Sequence, residues 1–67
     1  MATHRVNANF AEGTYRDLED LAESQGKSKA EVLRDAIALE RWFHETNNKG
    51  ERVLVERDGE LREIIPR

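Results

Sequence analysis

The chain has no cysteine among its 67 residues, so neither a disulfide framework nor a thiolate metal site holds it together. No stretch approaches the ~18 apolar residues of a membrane span, and the mean hydropathy of −0.84 agrees. The opening MATHRVNANF lacks the apolar core of a secretory signal, which points to the cytoplasm. Also absent are a glycine-rich phosphate loop, an H-E-x-x-H or G-x-S-x-G motif, and a cysteine nucleophile. Neither an enzyme nor a cofactor is expected. His4 and His44 are distant in sequence, and Glu40 with His44 reads as a surface pair on one helix face rather than a metal site.

Apolar volume is scarce as well. Hydrophobic residues make up 37% of the chain, and seven of them are alanines. A domain near 60 residues buries only ~60% of its unfolded surface, so its core is marginal alone. Scaffolds of this size without staples commonly gain core by oligomerising. A homodimer is expected on these grounds alone.

The net charge of −3 is unevenly distributed. Residues 1–10 carry +1, residues 11–26 carry −4, residues 27–50 carry +1 and the remainder −1. Where the charge sits matters more for a nucleic-acid partner than its total.

What is present follows a clear periodicity. His4-Arg5-Val6-Asn7-Ala8-Asn9-Phe10 alternates polar and apolar, the period of a half-buried strand. Val6, Ala8 and Phe10 share one face; Arg5, Asn7 and Asn9 share the other. From Glu12 to Gln25 the period becomes helical, with Tyr15, Leu18, Leu21 and Ala22 on one face. Thr14, three residues before Asp17, is a candidate cap, although the helix could begin nearer Glu12, and Gly26 is a natural terminator. Ser28-Lys29-Ala30-Glu31 has the form of a capping box for a second helix reaching about Thr46. Ala30, Val32, Leu33, Ala36, Ile37, Leu39 and Phe43 spread over roughly half its circumference, as expected of a helix covered by its own subunit and by a partner. Asn47-Asn48-Lys49-Gly50 ends it. The tail reads as a β-hairpin turning at Asp58-Gly59, which pairs Arg57 with Glu60, Val55 with Arg62 and Val53 with Ile64. Pro66 stops its second strand. Trp42 and Phe43 are the large apolar residues nearest to pack against it.

A single short strand cannot satisfy its own backbone, so the 4–10 segment calls for a second copy paired antiparallel across a two-fold axis. Such a ribbon fits the major groove, where asparagine bonds adenine and arginine bonds guanine. Arg5, Asn7 and Asn9 are the candidate base readers. Val6, Ala8, Phe10, Leu18, Leu21, Val32, Leu33, Ala36 and Ile37 are the candidate dimer core.

Arg5-Val6-Asn7-Ala8-Asn9-Phe10, then Glu12, Leu18, Leu21-Ala22, Gly26-x-Ser28 and Val32-Leu33-Arg34-x-Ala36-Ile37, resemble the ribbon-helix-helix superfamily of the Arc, MetJ and CopG repressors. The likeness covers residues 4–43. It implies a mostly α, β-α-α intertwined homodimer over residues 1–50, with a C-terminal β-hairpin extension over residues 51–67. It also implies a transcriptional repressor that binds double-stranded DNA, with higher-order assembly on tandem operators. The family's phosphate contacts would fall on Lys27, Ser28 and Lys29, where a helix N-terminus offers free N–H groups and a positive dipole end. Two further readings stand beside this one. The chain could be a protein-interaction module or antitoxin whose hairpin grips a partner protein, or the ribbon could serve dimerisation alone. No membrane partner is expected.

Overall fold

The computed structural model describes residues 2–65, so the proline expected to end the hairpin, Pro66, lies outside the described residues. Its elements run α1 (Glu12–Gln25), α2 (Lys29–Asn48), β1 (Val53–Arg57) and β2 (Glu60–Ile64). The order is α-α-β-β. The expected N-terminal strand is not formed, and the β-α-α ribbon-helix-helix architecture is overturned with it. Residues 2–11 belong to no helix or strand. The physical reason is local: the 4–10 segment has no neighbouring strand within the chain to take up its N–H and C=O groups. Asparagine and alanine are also poor strand formers, so alternation alone does not hold the segment.

Two compact units make up the chain, one ending at Leu33 and the other beginning at Arg34. In the first, α1 starts after an extended Ala11 with no side-chain cap, and Thr14 lies inside the helix rather than ahead of it. Gly26 terminates it at φ 64°, ψ 36°. The Gly26 N–H donates to the Glu23 carbonyl and the Lys27 N–H to the Ala22 carbonyl, a Schellman pair that satisfies the last carbonyls. Two residues later the capping box closes as expected. The Glu31 N–H donates to Ser28 Oγ at 3.1 Å, and the Ser28 N–H donates to Glu31 Oε1 at 3.2 Å. Leu18 and Ala22 of α1 and Val32 of α2 are the buried hydrophobic cluster.

In the second unit, α2 continues to Asn48, two residues past the expected Thr46. Asn47 Nδ2 donates back to the Phe43 carbonyl at 2.8 Å, and the Glu51 N–H reaches the Thr46 carbonyl around Gly50. The hairpin has the expected register, with Arg57 opposite Glu60, Val55 opposite Arg62 and Val53 opposite Ile64. Asp58 at φ 53° and Gly59 at φ 80° make the turn, both in the left-handed region that a type I′ turn demands. Arg52 and Glu63 bridge the two strands at 3.1 Å. Phe43 and Val53 are half-buried beside an apolar groove of about 400 Å³, which Ala36, Leu39, Trp42 and Ile64 also line. No helix among the described residues is long and apolar enough to cross a membrane.

Two glycines of α1 should respond oppositely to alanine. Gly13 is the second residue of the helix with open space around it, so Gly13→Ala should stabilise by about 0.5 kcal/mol, less than at an interior position. Gly26→Ala puts a Cβ into left-handed backbone and should destabilise by about 1–2 kcal/mol. Thermal melts followed by circular dichroism at one fixed concentration check both signs.

Candidate nucleic-acid interface

Two sets of polar side chains stand out in the N-terminal unit. The first is the row Arg5, Asn7 and Asn9, all exposed. The alternate residues are uncovered too: Val6 is 84% exposed and Phe10 42%. Val6 and Phe10 are therefore not part of the protomer's own core.

The second set lies at the turn between the helices. Lys27, Ser28 and Lys29 are consecutive and exposed, just where α2 begins. Helix geometry leaves N–H groups there without intrahelical acceptors, an environment that favours anions. Ser28 and Glu31 satisfy each other across the cap, however, so one carboxylate already sits at that positive end. Lys29 is drawn toward α1. Its Nζ donates to Tyr15 Oη at 2.6 Å, lies 4.8 Å from the centre of that ring, and stands 3.8 Å from a Glu19 carboxylate oxygen. The Tyr15 hydroxyl, chiefly, and Glu19 raise the Lys29 pKa above its ordinary value. Lys29 thus joins two helices as well as adding charge to the turn.

Tyr15 was readable in the sequence only as one residue of an apolar helical face. Its hydroxyl is the partner that sequence reasoning missed. A tyrosine and a lysine fourteen positions apart meet only because the Gly26 turn reverses the chain. Among the expected dimer-core residues, Leu18 and Val32 are buried within the protomer together with Ala22. Ala8, Leu21, Leu33, Ala36 and Ile37 are exposed, Ile37 to 69%. His44 shares a hydrogen bond with Asn48 across 3.1 Å, one helical turn on. No three histidine, aspartate or glutamate side chains gather as a metal site among the described residues.

Comparison with known proteins finds no matching family model, no matching curated protein and no matching solved structure. The ribbon-helix-helix resemblance is therefore corrected on two grounds, the α-α-β-β order and the lack of any family match.

The Lys29 contact has a definite pH signature. Because the folded-state pKa is raised, the contact is fully present at neutral pH. It is lost as pH climbs through the raised value. Tyr15→Phe removes the largest cause, so the Lys29 titration should move down toward the ordinary lysine range, as followed by NMR of the side-chain Nζ or Cε.

Proposed function

We propose that this chain is a homodimeric DNA-binding protein acting as a transcriptional repressor, with Arg5, Asn7 and Asn9 as its base-reading side chains. The observation that carries the reading is the exposure of the whole 4–10 segment, polar and apolar residues alike. Val6 and Phe10 need cover that the protomer lacks, and a second copy supplies it. The polar row then remains for a ligand. An arginine guanidinium matches guanine O6 and N7, and an asparagine amide matches adenine N6 and N7. These are the pairings of major-groove recognition, and a lysine-rich segment would lack the amides. It is the chemistry of these side chains, not a ribbon-helix-helix frame, that supports the reading.

Lys27 and Lys29 add positive charge at the start of α2, suited to phosphates and indifferent to sequence. The acidic face of α1, with Asp17, Glu19, Asp20 and Glu23, must lie away from the phosphates for this to work. A second reading draws on the other unit. The apolar groove lined by Trp42, Phe43, Val53 and Ile64 suits a protein-interaction module that holds a partner protein through its hairpin.

The two readings separate on one variant. Asn7→Ala/Asn9→Ala should keep the parent chain's mass in light scattering and lose about 1–3 kcal/mol of sequence discrimination per missing base contact. The measurement is selection of bound genomic fragments at low and moderate salt. A symmetric motif recovered by the parent chain and blurred in the variant supports the repressor. Recovery of no motif by the parent sinks it and leaves the interaction module.

A further inference from the structure

We infer that the open edge of β1 is a self-pairing surface, on which a second copy of this chain lays its own β1 antiparallel about a two-fold axis at Leu54. The two-stranded sheet leaves β1 with one edge that no strand covers among the described residues. A tight two-residue turn makes Arg57 and Glu60 a hydrogen-bonded pair, so Val55 with Arg62 and Val53 with Ile64 follow. Leu54 and Glu56 consequently direct their backbone N–H and C=O groups outward. Edges of this kind are normally guarded by lysine, proline or a bulge. The stretch Val53–Arg57, VLVER, has no lysine and no proline, its charges Glu56 and Arg57 sit together at one end, and Leu54 and Val55 are exposed.

The occupant is identified by charge. Residues 51–57 read Glu-Arg-Val-Leu-Val-Glu-Arg, which is complementary to itself when reversed. With Leu54 opposite Leu54 of the second copy, Val53 meets Val55, Arg52 meets Glu56 and Glu51 meets Arg57. Each pair away from the axis occurs twice by symmetry, giving opposite charges at both ends of an apolar centre and no like charges face to face. Outward-directed backbone groups also match in this register, since Leu54 bonds Leu54 and Arg52 bonds Glu56. Opposite-charge and aliphatic cross-strand pairs both stabilise, and like charges opposite each other destabilise.

The other edge carries this property only over a shorter stretch. A two-fold at Leu61 sets Glu60 against Arg62, but the next position is Gly59 of the turn, so the register ends after one pair on each side. On β2 a two-fold at Arg62 opposes two arginines, and one at Glu63 opposes two glutamates. Pairing through β1 turns two marginal hairpins into one four-stranded sheet, the size at which a sheet becomes stable in its own right. The inference goes beyond the DNA reading and does not rest on it. Combined with a covered N-terminal segment, it gives the chain two isologous contacts, which link dimers into longer assemblies.

The absence of native cysteine makes the test clean. Leu54→Cys, oxidised mildly without DNA, should yield covalent dimer at least about tenfold faster than Leu61→Cys, because a Cα separation near ~5.5 Å across a bonded pair accepts a disulfide. Adding Glu56→Arg to the Leu54→Cys chain should cut the yield about tenfold, by setting Arg52 against arginine. Mixing that chain with one carrying Arg52→Glu and Leu54→Cys should restore it, since the mixed pair regains opposite charges. On the unaltered protein, the amides of Leu54 and Glu56 should exchange more slowly than those of Leu61 and Glu63. Equal cross-linking at Leu54 and Leu61, indifference to Glu56→Arg, or equal exchange at the two edges would each overturn the inference. Any of these results leaves the DNA selection untouched, so the two failures cannot be confused.

Discussion

Burial is the limiting resource in this protein. Leu18, Ala22 and Val32 are the buried hydrophobic residues, and thirteen larger apolar side chains stay exposed among the described residues. Burying a leucine or valine contributes about 1.5–3 kcal/mol, which cannot by itself order a chain of this length against its conformational entropy. Both proposals answer that shortage with a second copy of the chain. Several apolar surfaces await cover: Val6 and Phe10 of the N-terminal segment, Leu33 with Ile37 on one face of α2 and Leu39 with Trp42 on another, and the hairpin edge.

Backbone punctuation supplies the order that the core does not. Gly26 closes α1, Ser28 and Glu31 open α2, Gly50 closes α2, and Asp58-Gly59 reverses the hairpin. Each device satisfies specific N–H and C=O groups through hydrogen bonds within a few residues, so each works without a large core. The same economy shapes the candidate interface. Glu31 caps α2 at the position an anion would take, and Lys29 is shared between Tyr15, Glu19 and the turn. Phosphate binding there would compete with contacts that stabilise the helix pair.

The proposed DNA contacts and the hairpin edge use different chemistry at opposite ends of the sequence. Arg5, Asn7 and Asn9 offer donors and acceptors suited to base edges. Residues 51–57 offer a charge pattern suited to a copy of themselves. The excess acid of α1 opposes nucleic acid wherever it faces the phosphates, which restricts any DNA-binding orientation more strongly than the small net charge does.

Elements that depend on neighbours in sequence were legible from the sequence alone. α1 showed in its helical period, the capping box in Ser28 and Glu31, and the hairpin register in Asp58-Gly59, because turn geometry and i,i+3 contacts are set by adjacent residues. The candidate base-reading row was legible only as a list of exposed amides and one guanidinium. Its frame was not: the alternation at 4–10 suggested a strand, but a strand exists only where another chain segment takes its hydrogen bonds. The meeting of Tyr15 with Lys29, the burial of Val32 against Leu18 and Ala22, and the groove beside Phe43 were decided by tertiary structure. They join residues distant in sequence, and no local periodicity encodes which distant side chains will meet.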